Sequence, residues 1–333
     1  MKAALLYGKD DLRVVDIERP KIGSTEILLE VKACAVCPTD VRKYRVGDHE
    51  KLEYPINLGH EWSGIVVEVG EKVKNIKVGD RLASTGLCLG GYAEYIKIPG
   101  LSFVDMYTRN RAAVKIPEGL SYEEATFVEP LADCLHAVLD QAKVKVGDKV
   151  VIIGAGQMGL QILMVTKLLG ATAIVSELNE TRLKYAENFG ADYLINPLKE
   201  DPVEEVKKIT KGRGADSVII SIGEPIAIEQ GLRMAKRQGK VVLFGGALPG
   251  TTFNLDPNII HYKEISLIGS YWVGFQSLDC FFNFDLFNTA LELILSKKVP
   301  VSKLVTHRFS LSEIHKAFRI VERREGLKVI IIP

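Results

Sequence analysis

Three short clusters in this chain bring together residue types that can hold a metal ion: Cys37-Pro38-Thr39-Asp40, Gly59-His60-Glu61 and, further on, Glu129-Pro130-Leu131-Ala132. Thiolate, imidazole and carboxylate are donors that zinc accepts in tetrahedral sites, and a catalytic site keeps one position open for water or substrate. The donors would come from separate segments, so local spacing alone is unspecific. Cys34 and Cys37 form one C-x-x-C, but no second pair follows as structural zinc requires; Cys88 is solitary and Cys134 falls on a helical pattern. Cys34 reads as a buried strand residue.

A second chemistry lies in Val150-Val-Ile-Ile-Gly154-Ala-Gly156-Gln157-Met158-Gly159, a G-x-G-x-x-G placed after a β-branched run and before an apolar-periodic stretch. Gly154 permits a tight turn, Gly156 lets the backbone approach a pyrophosphate, and Gly159 lets a helix pack close to its strand. The phosphates would sit at the helix N-terminus. Glu177 ends the next strand candidate, 18 positions beyond Gly159, where an acid can accept both ribose hydroxyls and repel a 2′-phosphate. NAD is therefore expected over NADP, although Arg182 could pair with a phosphate or pack on adenine. Ser221 with Ile222, and Gly245 with Gly246, follow further strand candidates and are expected near the nicotinamide, while Ser270, Tyr271 and Trp272 after another strand would line either the ring or a subunit contact.

The elements that must position these groups fall into two patterns. From Met1 to about Gly100, short alternating runs (Ile27 to Val31, Ser63 to Val69, Tyr92 to Ile98) broken by Gly and Pro read as a β module. Between Asp148 and Ser270, apolar strand candidates (Val150 to Ile153, Ala173 to Ser176, Ser217 to Ser221, Lys240 to Phe244) alternate with helical stretches such as Gly159 to Leu169, which implies a doubly wound parallel sheet. The tail holds helical patterns at Asp285 to Ser296 and Ser312 to Arg323 and a strand, Lys328 to Ile332, too few strands for a separate domain. The expected α/β architecture is thus a module of residues 1–132 with 273–333, interrupted by a nucleotide domain at 133–272.

Composition narrows the partners. Lys and Arg number 43 against 42 acids with no polybasic run, so neither nucleic acid nor an anionic membrane is indicated and a small molecule is expected. The apolar stretch near the N-terminus is too short and too polar for a signal peptide, and no run approaches a membrane span. Five unevenly spaced cysteines do not look like a secreted framework, which leaves a reducing cytoplasm as the expectation.

Taken in order, VKACAVCPTD, LGHEWSGIVVEVG, KVGDRL, GGYAEYIKIP, VEPLAD, KVGDKVVIIGAGQMG and KVIIIP resemble the zinc-containing medium-chain alcohol and polyol dehydrogenases over nearly the whole chain. The resemblance implies a GroES-like catalytic domain built from both chain ends, a Rossmann domain between them, one zinc and NAD. It implies Cys37 and His60 as constant ligands, Glu61 as a direct or water-exchanging ligand, and Glu129 as the carboxylate of the sorbitol, threonine and glucose dehydrogenase branches. It makes Thr39 the hydroxyl that takes the substrate's proton, Asp40 an orienting partner and Lys328 a base aimed at the pyrophosphate. Zinc would acidify a bound secondary alcohol of a polyol, sugar or cyclitol while hydride passes to the nicotinamide. A homodimer through strand edges near Ile265 to Ile268, or a homotetramer, is implied as well.

Three departures stand out. Pro38 follows the ligand cysteine and has no N–H to donate. Arg42 stands where many relatives end the proton relay with histidine, and arginine cannot shuttle protons; His49 is a candidate replacement. Between Asp80 and Gly90 the chain has only RLASTGLCL, without the four-cysteine lobe that binds a structural zinc. Gly100 to Arg109 looks like an addition, and Phe275 to Phe287 forms an aromatic cluster. His136 reads as a packed helix histidine. Two other readings remain: a zinc-free NADPH-dependent quinone or enoyl reductase of the same superfamily, and a non-catalytic nucleotide-binding protein on this scaffold.

Overall fold

The computed structural model describes residues 1–47, 53–86, 88–100, 113–273 and 286–333. The chain opens with β1 (Lys2–Gly8), β2 (Asp11–Asp16), β3 (Glu26–Ala35), α1 (Pro38–Val46), β4 (Glu61–Val69), β5 (Arg81–Ser84), β6 (Tyr95–Pro99), β7 (Ala113–Lys115), α2 (Tyr122–Ala125) and α3 (Val128–Leu135). A π-helical turn, His136–Gln141, precedes β8 (Lys149–Ile153), α4 (Gln157–Leu168), β9 (Thr172–Ser176), α5 (Glu180–Asn188), β10 (Tyr193–Ile195), α6 (Pro202–Ile209) and β11 (Ala215–Ile220). Then come α7 (Pro225–Met234), β12 (Ala235–Leu243), α8 (Pro257–Lys263), β13 (Ser266–Gly269), α9 (Leu286–Leu295), β14 (Val305–Ser310), α10 (Ile314–Glu322) and β15 (Lys328–Ile332). Two compact units result: Met1–Pro130 with Gly274–Pro333, and Leu131–Val273.

The first unit is built on a sheet ordered β14-β15-β3-β4-β5-β7, with β6 also on β3. β3 is its spine because seven of its ten residues are apolar and buried, with Glu26, Glu30 and Lys32 the exceptions. The C-terminal strand returns to it, pairing Ile330 with Ala35 and Ile331 with Cys34. On the other side Ala35 pairs with Glu61 and Cys34 with Trp62. β4 therefore starts at Glu61, two residues earlier than its alternation suggested, because these partners capture it. Trp62, Tyr92, Leu29 and Ile331 lie in one core, each fully buried. Tyr92 itself does not open β6 as expected. Its carbonyl accepts the Ala4 N–H at 2.8 Å and Ala93 bridges Ala3, so the chain pairs with β1 before it joins β3.

The second unit is a parallel sheet ordered β10-β9-β8-β11-β12-β13. Its inner strands read as continuous β-branched runs because helices cover both faces. Ile153 pairs with Ser176 and with Ile220, Ile220 with Leu243, and Leu243 with Gly269, so the carboxyl ends of five strands form one row. Near its borders, the Val273 N–H donates to Asp133 Oδ1 at 2.9 Å. Among the described residues no helix is long and apolar enough to cross a membrane.

Candidate active site

The register at the end of β3 explains how distant donors meet. Ala35 pairs with Glu61, so Cys37, just beyond β3, and His60, just before β4, emerge at the same end of the sheet. The donor atoms of Cys37, His60 and Glu61 all lie within 4.8 Å of one another, the only such group of three among the described residues. Cys88 has no companion cysteine there, as the missing lobe implied.

Cys37 caps α1 and Pro38 is its first helical residue. The departure at Pro38 therefore removes nothing, since a first-turn N–H has no intrahelical partner. Thr39 follows, half-buried, and Asp40 lies 1% exposed in the same turn, where the helix N-terminus favours its charge. Asp40 Oδ1 lies 3.3 Å from His60 Nδ1, which leaves Nε2 as the ring nitrogen that can serve a metal. Asp40 Oδ2 accepts the Tyr92 hydroxyl at 2.7 Å.

Glu61 is 3% exposed, and its Oε2 accepts from Lys328 Nζ at 2.6 Å. The Lys328 ammonium, in a residue 1% exposed, also lies over the Phe127 ring at 4.7 Å. Lys328 thus has a different partner from the pyrophosphate expected of it: a cation at the head of a fully apolar strand needs a buried countercharge, and Glu61 supplies it.

Glu129, in the first turn of α3, stands outside the close trio. Burial pushes its carboxyl up to about 7, although the nearby His60 works the other way. Burial and Glu61 raise the Cys37 thiol, His60 opposing. For His60, burial favours the neutral ring, but Asp40 and Cys37 outweigh it and hold the imidazole well above its ordinary value. Soft thiolate, imidazole and buried carboxylates converging from separate segments suit zinc, which would favour the deprotonated thiol and neutral ring.

In the nucleotide unit, Gly154 takes φ +97°, open to glycine at no cost, and a Cβ on Gly159 would fall 1.9 Å from the Gly154 carbonyl oxygen. Only glycine lets α4 start so close to β8. The carboxylate of Glu177 reaches back to the turn: Oε2 accepts the Ala155 N–H at 2.7 Å and Oε1 the Asn179 N–H at 2.9 Å. A guanidinium nitrogen of Arg182 comes within 3.9 Å of where a Gly156 Cβ would stand, so base and acid flank the same turn. Gln157 opens α4 buried, and the Met158 carbonyl accepts from Cys134 Sγ at 3.5 Å.

Ser221 follows β11 on the carboxyl edge, but its hydroxyl is turned onto the carbonyls of Ile153 (2.9 Å) and Gly154 (3.0 Å), beneath the turn. Ile222 and Gly245 are packed together; a Cβ on Gly245 would lie 2.5 Å from the Ile222 nitrogen. Ser270 is 6% exposed, and its Oγ has no hydrogen-bond partner among the described residues. His136 is buried, with Nδ1 2.7 Å from Asp140 and Nε2 2.9 Å from Gln141, a packed helix histidine. Arg42 lies half-buried on α1. His49, residues 101–109 and the phenylalanine cluster up to residue 285 lie outside the described residues. Sequence reasoning missed Tyr92 and the pairing of Lys328 with Glu61. A signal for the second was a lysine opening the run Lys328-Val-Ile-Ile-Ile332.

Comparison with known proteins bears on both units. Residues 146–293 match the family model described as zinc-binding dehydrogenase, and residues 23–108 the alcohol dehydrogenase GroES-like domain. The chain is 33% identical to a sorbitol dehydrogenase of Halalkalibacterium halodurans, over 98% of this chain and 97% of that protein. It is 30% identical to the crystal structure of 2R,3R-butanediol dehydrogenase from Bacillus subtilis, with a TM-score of 0.85 and coverage of 100% and 99%. A zinc-binding dehydrogenase from Sinorhizobium meliloti bound to NADP is similar at 29% identity and a TM-score of 0.85, again over 100% and 99% of the two chains.

Proposed function

Since the chain belongs to the zinc-type medium-chain dehydrogenase/reductase family, and is thereby an NAD(P)-linked oxidoreductase, we propose that it oxidises a secondary alcohol of a polyol, sugar or cyclitol with NAD. The observation that carries this reading is the trio of Cys37, His60 and Glu61 donor atoms within 4.8 Å, Glu61 buried and the other two partly so. Its similarity to a sorbitol and a butanediol dehydrogenase supports a substrate with neighbouring hydroxyls.

Zinc held among Cys37, His60, Glu61 and Glu129 would supply Lewis acidity, and NAD a hydride acceptor. The chain's own residues do the rest. Thr39, on the first turn of α1 two positions from Cys37, takes the proton from the substrate hydroxyl. Asp40 fixes the ring of His60, and Lys328 balances the charge on Glu61. Gly156 leaves room for a pyrophosphate at the start of α4, Glu177 offers its carboxylate to the ribose, and the free Ser270 hydroxyl serves the nicotinamide end of the row. Glu177 supports NAD over NADP; Arg182, beside the same turn, is the residue that would favour the phosphate.

A second copy would pair along the edge strand β13, giving a homodimer or homotetramer. Among the described residues, Cys34, Cys37, Cys88 and Cys134 are not in disulfides, which supports the reading of a reducing cytoplasm. Purified protein should contain one zinc per chain and reduce NAD with at least one member of a panel of polyols, cyclitols and sugars. Absence of zinc would sink the reading.

A further inference from the structure

We infer that Tyr92 is a positioning residue for the metal centre, acting through Asp40 on His60. The inference rests on the reading of His60 as a zinc ligand. Three observations carry it.

The Tyr92 hydroxyl is fully buried and has two acceptors in reach, Asp40 Oδ2 at 2.7 Å and the Ala35 carbonyl at 3.3 Å. It has one proton, and the ionised, closer oxygen takes it. Asp40 is 1% exposed, so no water competes for its second oxygen; with Tyr92 on Oδ2, Oδ1 is left to face His60 Nδ1 at 3.3 Å. The chain from Tyr92 to the imidazole is therefore continuous, and each link fixes the direction of the next.

Tyr92 is itself held on every side. Its carbonyl accepts from Ala4 N and Asn57 Nδ2, and its ring meets Phe318 edge-on at 5.8 Å. The backbone around it is pinned to the segment that carries His60: Gly91 N donates to Gly59 O at 2.8 Å, and Gly90 N to Leu58 O at 3.1 Å. This approach needs glycine on both sides. Gly59 has φ +82° and a Cβ there would stand 3.0 Å from the Tyr92 nitrogen; one on Gly91 would stand 2.5 Å from Cys34 Sγ. The Gly-Gly-Tyr and Leu-Gly-His segments thus form one clamp, with the tyrosine hydroxyl and the histidine ring on opposite sides of one carboxylate.

A packing role alone would make Tyr92 replaceable by phenylalanine without effect on the metal. The test is the rate at which the zinc-loaded enzyme gives up zinc to a chromophoric chelator. Y92F should release zinc about tenfold faster than wild type, the lower end of what outer partners of a ligating histidine control. F318L, which loosens the ring but keeps the hydroxyl, should lower the melting temperature without changing release. In a D40A background, Y92F should add nothing, because the carboxylate that links the two side chains is already gone. Release from Y92F as slow as from wild type, or an equal effect of Y92F with and without D40A, overturns the inference. Should Y92F fail to fold, the wild-type enzyme with ring-labelled tyrosine serves: the Tyr92 hydroxyl resonance should move when zinc is withdrawn, and an unmoved resonance overturns it. A wild-type protein that holds no zinc at all refutes instead the reading of the metal site.

Discussion

Glu177 Oε2 accepts the Ala155 N–H at 2.7 Å, which joins the end of one strand to the glycine turn that follows another. The residue proposed to select the ribose therefore also stiffens the turn. Glu177→Ser should shift kcat/KM toward NADP relative to NAD by about tenfold or more, the scale of one charged hydrogen bond. The same change should lower the melting temperature, because Ala155 and Asn179 both lose an acceptor. Steady-state kinetics with both cofactors checks the first; an unchanged ratio would mean that the ribose is read elsewhere.

Cys37→Ser should reduce the zinc content well below one per chain and abolish turnover while leaving NADH binding intact, because the nucleotide turn belongs to the other unit. Elemental analysis and NADH fluorescence titration on the same preparation separate the two effects. Retained activity would favour the zinc-free reductase reading.

Lys328 and Glu61 form an ion pair with both side chains 1–2% exposed. Lys328→Met leaves a carboxylate buried without its cation and should destabilise the protein by about 3–5 kcal/mol. The double variant Glu61→Gln, Lys328→Met should be less destabilised than Lys328→Met alone, since no charge is then stranded. Urea unfolding of the four proteins gives the cycle; additive losses would show that the two groups do not depend on each other.

Acid should act partly through Glu124. Burial works to raise its carboxyl, but hydrogen bonds from Lys297 and Ser121 outweigh this and hold it below the ordinary value of 4.5. A carboxylate with a depressed folded pKa contributes stability above the unfolded value and loses it as pH falls through the folded one. Glu124→Gln should thus be less stable than wild type near neutrality, and the gap should close below about pH 4.5. Thermal melts across this range test it, and a gap that persists in acid would exclude the linkage.

Much of this organisation was legible in the residues. The run of Val and Ile before Gly154, the three glycines and Glu177 specified a local unit, since a turn, a helix start and a strand end need only neighbours in sequence. Cys37, His60 and Glu61 could be named as donors, but their meeting depends on the pairing of Ala35 with Glu61, which no local pattern encodes. Tyr92 was hidden for the same reason: its tyrosine-to-carboxylate bond spans 52 positions. The pairing of Lys328 with Glu61 was hidden too, because a lysine's charge says that it needs an anion and not which one. Ser221 faced inward for want of any sequence signal of rotamer.

The pairing of Ile330 with Ala35 also has a consequence for biosynthesis. On the ribosome, the end of β3 at Cys34 and Ala35 can meet β4 early but must wait for Ile330 and Ile331 before its other side is covered. The segment from Leu131 to Val273 is complete before that, and the hydrogen bond from Val273 to Asp133 can form as soon as its far end appears. The unit begun first is finished last, so that end of β3 stays open on one side to misassembly until β15 emerges.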